Sequence, residues 1–328
     1  MHLGLYTDSV PAMSLPEALD LAVRIGATAI EISTGGQSSA PHLSLDRLLS
    51  SEDDRTRLTD ALERRGLHLS ALNCSAWLLH PRLGTEHASV VQRTIRLAEM
   101  LGVSTIVTMA GCPGDHPDAL VVNWPWYPWP AELAQLRERQ WDAVTDLWRE
   151  LGPFALDHGV TSVALELHPL QLVYNVPTLL ELRAAIGPVI GANLDPSHLF
   201  WQHMDPIAVA RALGPVVRHV HLKDTAIVAD QVALAGVLDH RSFDTPAERA
   251  WNFRTLGQGH DEAFWRRFLA ALGESGYDGA LSIENEDRSL DPVDSVIASA
   301  SFVMPLIADR NAAGAGAASD VGRSPVMP

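Results

Sequence analysis

The sequence predicts a single (β/α)8 barrel, and three observations carry that expectation. Short apolar, β-branched runs alternate with longer helical stretches along the whole chain, and eight such runs can be counted. Most helical stretches close on a glycine. The last four runs end on side chains that bind cations. Alternation of this kind is the pattern of βα units around a parallel sheet. Eight units in 328 residues fit a closed barrel, whose usual length is about 250 residues. A doubly wound open sheet is the rival, but no Gly-rich phosphate loop follows the first run.

The units follow in order. Strand His2–Thr7 leads to helix Leu15–Ile25, closed by Gly26. Strand Thr28–Ser33 leads to helix Arg55–Arg65 and Gly66, and strand Leu67–Asn73 to helix Val90–Leu101 and Gly102. Strand Val103–Met109 is separated by an excursion, 110–130, from helix Leu133–Asp157, which closes at His158-Gly159. Strand Ser162–Leu167 precedes helix Val176–Ile186 and Gly187; strand Ile190–Asp195 precedes helix Asp205–Leu213. Strand Val216–Leu222 is followed by a second excursion, 226–260, then helix Asp261–Ser275 with Gly276, and strand Ala280–Glu284 is the eighth. A glycine just past a helix can take the left-handed conformation that terminates it. Both excursions follow strand C-termini, the face on which barrel enzymes build their sites. One domain is therefore expected over 1–308. The remainder, 309–328, is expected to be a disordered tail, because it is small and polar from Asn311 on.

Composition narrows the function classes. With 47% hydrophobic and 20% charged residues, the chain has the balance of a globular protein with ample core. No run approaches eighteen uninterrupted apolar residues, so no membrane span is expected. Met1 to Asp8 lacks the basic and apolar regions of a signal peptide. Two cysteines, Cys74 and Cys112, make no disulfide framework, and a reducing cytoplasm is the expected location. A net charge of -16 without clustered Lys and Arg argues against nucleic acid as a partner.

The strand ends carry the chemistry. VALELHP reaches Glu166, GANLDPSH reaches Asp195, RHVHLKD carries His219 and His221, and LSIENED reaches Glu284. A carboxylate leaving a buried strand is costly unless something positive compensates it. Lys223 can neutralise one carboxylate but not three. One such residue alone is commonly a helix cap, and Asp195 before Pro196 suits that role well. Ligand-type residues at four separate strand ends on one face instead suit a divalent ion such as Mn2+, Mg2+, Co2+ or Zn2+.

ALELHP, NLDPSH, HVHLKD and SIENED, in that order, make the chain resemble the xylose isomerase-like barrels of sugar isomerases and epimerases, from Met1 to about Ile307. Carried over position by position, the resemblance implies one divalent metal, usually Mn2+ or a relative, held by Glu166, Asp195, His221 and Glu284. It also implies that His198 touches the substrate. The implied reaction is removal of a proton next to a sugar carbonyl, giving isomerisation, epimerisation or elimination. Glu166, Glu284, His168 and His198 are the candidates for moving that proton. His219, two residues before His221 on the same strand face, is a candidate for substrate contact or for a structural hydrogen bond. Lys223 and Asp224 are expected to contact substrate oxygens or each other.

NWPWYPWP, with Trp124 and Trp126, forms a rigid apolar surface suited to a sugar face, a flat aglycone or a partner protein, or it is a packed lid. ERAWNFRTLGQGHDEAFW adds Trp251 as an anchor and Arg254, Gln258 and His260 as polar candidates. GCPGD, NWPWYPWP, NLDPSHLFWQ and RTLGQGH are also similar to bacterial proteins called sugar phosphate isomerase/epimerase, and to the catalytic α subunits of C-glycoside deglycosidases. The second likeness implies elimination of an aglycone from a 3-dehydro C-glycoside, working with a small β subunit in a hetero-oligomer. The first implies an isomerase or epimerase acting on a free ketose or sugar phosphate. A phosphate-carrying substrate is disfavoured by the few cations near the site. DNA-repair chemistry on related barrels calls for more metal ligands, and a non-catalytic sugar-binding role leaves the intact ligand set unexplained.

Overall fold

A computed structural model describes residues 1–320. Its centre is a closed barrel of eight parallel strands: β1 (His2–Tyr6), β2 (Ala29–Ser33), β3 (His68–Asn73), β4 (Thr105–Thr108), β5 (Ser162–Glu166), β6 (Ile190–Leu194), β7 (Val217–Leu222) and β10 (Ala280–Ile283). The strands pair in chain order, and β10 closes the ring between β7 and β1. Around them run α1 (Leu15–Arg24), α2 (Leu45–Ser50), α3 (Glu52–Glu63), α4 (Gly84–Leu101), α5 (Ala131–Asp157), α6 (Val176–Ile186), α7 (Pro196–Trp201), α8 (Pro206–Leu213), α10 (Glu262–Glu274) and α11 (Pro292–Asp320). The eight strands therefore fall where the apolar runs predict them, each within about two residues.

Local chemistry sets the boundaries. Ser14 and Glu17 close a capping box at the start of α1, and Gly102, at φ 68°, ends α4 in the left-handed region that spares a side chain from strain. Helix α4 begins at Gly84 rather than Val90, and α2 and α7 are short helices that the apolar periodicity does not reveal. Trp148 of α5 is fully buried, and its Nε1 donates to the Ala110 carbonyl at 2.9 Å, pinning the start of the first excursion to the helix that follows it.

The second excursion carries elements of its own: β8 (Asp224–Ile227) and β9 (Trp251–Arg254) form an antiparallel pair, with α9 (Ala229–Ala235) between them. Helix α11 runs to Asp320; the rest of the segment expected to be a disordered tail, 321–328, lies outside the described residues. Within α11, Pro292–Ala313 is long and apolar enough to cross a membrane by length and composition. Its Val296, Ala300, Val303, Leu306 and Ile307 are buried in the protein core, which marks a core helix.

Strand register explains what fills the barrel. Gly4 pairs with Ala29 and with Ser282, Glu31 with Ala71, Asn73 with Val107, Val107 with Ala164, and Glu166 with Asn193. Partners in register share a face, and side chains alternate along a strand. The lumen face thus carries small apolar side chains, among them Ala29, Ala71, Val107 and Ala164, beside polar ones, Glu31, Asn73, Glu166, Asn193 and Ser282.

Candidate metal centre

Four side chains converge where β5, β6, β7 and β10 end. His221 Nδ1 lies 3.1 Å from Glu284 Oε2 and 3.7 Å from Glu166 Oε2. Donor atoms of Glu166, Asp195 and His221 all lie within 4.8 Å of one another. Asp195 takes the capping role considered for it, Oδ1 accepting the Ser197 N–H at 2.8 Å at the start of α7, while Oδ2 lies 3.4 Å from His198 Nε2. Lys223 Nζ sits 3.0 Å from Asp195 Oδ2, 2.7 Å from Glu284 Oε2 and 3.0 Å from Glu286 Oε2. His198 Nε2 is 3.1 Å from Glu166 Oε1 and 3.4 Å from Asp195 Oδ2.

The electrostatics of this cluster call for added positive charge. Burial opposes ionisation of Glu166, yet His198, 3.1 Å from Oε1, and the neighbouring His221 hold its carboxyl down at about 2. Burial likewise opposes ionisation of Glu284, and Lys223 and His221 overcome it, holding the carboxyl well below the usual range. At Asp195 burial wins, and its carboxyl is raised despite Lys223. His221 is desolvated, but Glu31 and Glu284 raise its imidazole well above the ordinary value. A site that retains a proton on an imidazole to balance its carboxylates is one where a cation competes for that imidazole.

The residues fit a divalent ion on two further observations. Asp195 Oδ2 and His198 Nε2 are buried without a well-aligned hydrogen bond. The donor set of three carboxylates and one imidazole matches hard and borderline cations.

His168 lies beside the cluster, its ring 4.2 Å from that of His198, with Nδ1 on the Pro169 carbonyl. Burial, then the charge of His198, pushes its imidazole down to about 3, so it is neutral at neutral pH. A cavity of about 820 Å³ opens above the cluster. Glu166, His168, His198, Lys223 and Glu284 reach it, and Trp124, Trp126, Trp201, Phe243, Trp251 and Phe253 form its aromatic side. Trp251 stacks on Trp201 at 4.7 Å, and Lys223 Nζ lies 4.8 Å over Phe253. Leu120, Val121, Tyr127 and Trp129 of the first excursion and Leu234 of α9 are exposed apolar residues.

Two expected substrate contacts do not reach the cavity. His219 is drawn below it, its Nε2 2.7 Å from Glu31 Oε2, because β7 places it one layer deeper than His221. Arg254 turns to Asp287, 3.2 Å away. Lys223 and Asp224 also part company. The Asp224 carboxylate accepts N–H groups from Gly257, Gly259 and His260, each at 3.0 Å, and tethers the return of the second excursion to the barrel. His260 serves that tether, with Nδ1 2.8 Å from Asp224. Gln258 is exposed, outside the cavity.

Sequence reasoning missed Glu31, Asn73 and Asn193. Asn193 Nδ2 donates to Glu166 Oε2 at 3.2 Å, and Asn73 Nδ2 to Glu31 Oε1 at 2.8 Å. The signal was present: Glu31 is a carboxylate in the otherwise apolar strand AIEIS, on the alternate face shared with Ala29 and Ser33.

A family model described as xylose isomerase-like TIM barrel matches residues 19–306. The uncharacterized protein YfiH of Bacillus subtilis (strain 168) is 42% identical over 296 residues, covering 89% of this chain and 95% of that protein. Among solved structures, the probable 3-DHS dehydratase AsbF involved in petrobactin synthesis, from Bacillus anthracis, superposes with a TM-score of 0.66 at 19% identity, covering 93% of this chain and 99% of AsbF. The IOLI protein with a binding zinc atom gives 0.65 at 18% identity, over 94% of this chain and 99% of IOLI. An L-ribulose 3-epimerase gives 0.63 at 15% identity, over 100% of this chain and 99% of the epimerase. At these identities the three structures establish the fold.

Proposed function

The chain belongs to the xylose isomerase-like TIM barrels, and from that premise we propose an enzyme that removes a proton next to a carbonyl of a sugar-type substrate with the help of one divalent metal. The observation that carries the proposal is the buried cluster of Glu166, Asp195 and His221, with the half-buried Glu284 Oε2 3.1 Å from His221 Nδ1. These four residues would hold the ion; Mn2+ is our first choice, with Mg2+, Co2+ and Zn2+ as alternatives. When bound, the ion supplies Lewis-acid polarisation of the substrate carbonyl.

The rest of the chemistry falls to the chain's own residues. Glu166 and Glu284 are held ionised, so either can accept the proton from carbon. His168, neutral and at the cavity wall, is the third candidate. The Lys223 ammonium and His198 lie where negative charge developing on substrate oxygens can be met by hydrogen-bond donors. Return of the proton to the neighbouring atom isomerises the sugar, and return to the opposite face epimerises it.

We favour a third outcome, β-elimination of an aglycone from a 3-dehydro C-glycoside. The base takes the proton beside the carbonyl, its electron pair becomes a carbon–carbon double bond, and the aglycone departs with the electrons of its own bond and is then protonated. A cavity of about 820 Å³ with one aromatic side supports a substrate carrying a flat apolar group, since pockets for drug-sized ligands span about 300–1,000 Å³. The exposed apolar residues Tyr127, Trp129 and Leu234 support a reading in which a small second subunit covers them. The second reading, isomerase or epimerase action on a free ketose or sugar phosphate, draws on the fold shared with an L-ribulose 3-epimerase. Cys74 and Cys112, both buried free thiols, suit the reducing cytoplasm we assign to the protein.

The test is NMR in D2O with added Mn2+, following free ketoses and 3-dehydro C-glycosides, with and without a small partner subunit. Deuterium entering a ketose would establish the isomerase or epimerase, and release of aglycone would establish the lyase. Neither event under any of these conditions would overturn the proposal.

A further inference from the structure

Beneath the candidate metal centre lies a carboxylate that no strand-end motif contains. Glu31 of β2 is fully buried. Its Oε2 lies 2.7 Å from His219 Nε2, and its two oxygens lie 3.1 and 3.2 Å from His221 Nε2. Asn73 Nδ2 donates to Oε1 at 2.8 Å. Every neighbour that Glu31 hydrogen-bonds is thus an amide or an imidazole nitrogen on another strand. A buried carboxylate would be costly here without such partners.

The backbone is shaped for this contact. The pairing of β2 with β3 shifts register between Ile30 and Glu31, and that of β6 with β7 shifts between Ala192 and Asn193. Such irregularities re-aim the side chains beside them. Both fall at polar lumen residues next to the cluster: Glu31 below His221, and Asn193 between His221 and Glu166, with Nδ2 3.1 Å from His221 Nδ1.

We propose that Glu31 is a positioning residue for the cation site, locking His221 with Nε2–H directed down the barrel and Nδ1 directed at Glu166 and Glu284. The inference rests on the metal reading above and deepens it. An ionised carboxylate accepts hydrogen bonds and cannot donate them, so the imidazole nitrogen facing it must carry hydrogen. Nδ1 then carries the lone pair, which a cation would take over from the Asn193 amide 3.1 Å away, on the side where Glu284 Oε2 also lies 3.1 Å away. His219, bonded to the same carboxylate and 3.2 Å from Ser282 Oγ, keeps Glu31 from swinging toward His221 alone. The layer Glu31–His219–Ser282 therefore fixes which nitrogen of His221 is offered and in which direction.

The experiment compares Mn2+ affinity of the chelator-stripped full chain with that of Glu31→Gln, by competition against a metal indicator, and records Tm for each with and without Mn2+. The glutamine amide presents N–H groups to nitrogens that must themselves donate, so affinity should fall about 10- to 100-fold, the usual effect of removing the partner of a metal-binding histidine. The Tm increment on adding Mn2+ at a fixed concentration should shrink in step. A purely structural Glu31 would lower both Tm values equally and leave the affinity alone. Glu31→Asp, which keeps the charge but withdraws it from His221, should fall between wild type and Glu31→Gln, and carries the test if Glu31→Gln does not fold. Mn2+ affinity within twofold of wild type in the folded variant overturns the proposal. His221→Ala separates the two levels: if it too leaves Mn2+ affinity unchanged, the metal reading itself is wrong, and if it abolishes binding while Glu31→Gln does not, only the positioning role is wrong.

Discussion

Replacing Lys223 by methionine tests the charge balance on which the site depends. Lys223 is buried, and its ammonium faces Asp195, Glu284 and Glu286 at 2.7 to 3.0 Å. Burial lowers the tendency of this amine to hold its proton, but those carboxylates raise its pKa well above the ordinary lysine value. The side chain is therefore charged through the whole neutral range. Methionine keeps the bulk and removes the charge, leaving buried carboxylates without their nearest cation. Breaking a buried ion pair from one side costs about 3–5 kcal/mol. Unfolding entropy of about 2.1 cal/mol/K per residue gives about 0.7 kcal/mol/K for a chain of this size. The loss corresponds to a Tm lower by about 4–7 °C in EDTA. Saturating Mn2+ should narrow that gap, because the ion takes over neutralisation of Asp195 and Glu284. At a free concentration of 100 times Kd it contributes about 2.7 kcal/mol to either protein, and more where the carboxylates lack another cation. Differential scanning calorimetry of both proteins, in EDTA and in Mn2+, reads all four values. A gap of the same size with and without metal, or no gap in EDTA, would refute this reasoning.

Three further outcomes are expected. Glu284→Gln should lower kcat by about 100-fold or more, as loss of an acid–base group does, and should weaken Mn2+ binding; full turnover with unchanged metal content would remove Glu284 from the site. Trp124→Ala and Trp126→Ala should raise KM for aryl glycosides about tenfold, equivalent to about 1.4 kcal/mol of lost contact, while leaving a small ketose unaffected; identical kinetics on both substrates would return the first excursion to a packed lid. His87 Nδ1 accepts the Trp77 N–H at 2.8 Å, and burial lowers its pKa. The unfolded chain therefore takes up that proton first, and stability is lost as pH falls below the ordinary histidine value of about 6.5. Urea midpoints at pH 7.5 and 5.5 should drop less in His87→Asn than in the wild type, and an equal drop would exclude His87.

The barrel is legible because each strand of VALELHP or GANLDPSH type carries two signals at once, a buried β-branched run and a turn that stops it. Glu166, Asp195, His221 and Glu284 stand out because burial makes a charged strand end conspicuous. Glu31 has the same anomaly but sits mid-strand in the first half of the chain, far from the motif-bearing strands. Only the closure of the ring brings β2 across the lumen from β7. Arg254 and His260 look like site residues by composition, yet their directions depend on the antiparallel pairing of β8 with β9. That pairing is tertiary and leaves no periodic trace in the Pro- and Gly-punctuated stretch.

Crystals of the full chain soaked in Mn2+, with anomalous diffraction collected at the manganese absorption edge, test the central claim most directly. The account predicts one strong peak bounded by Glu166, Asp195, His221 Nδ1 and Glu284. A protein that binds no Mn2+, or binds it away from these four side chains, contradicts it.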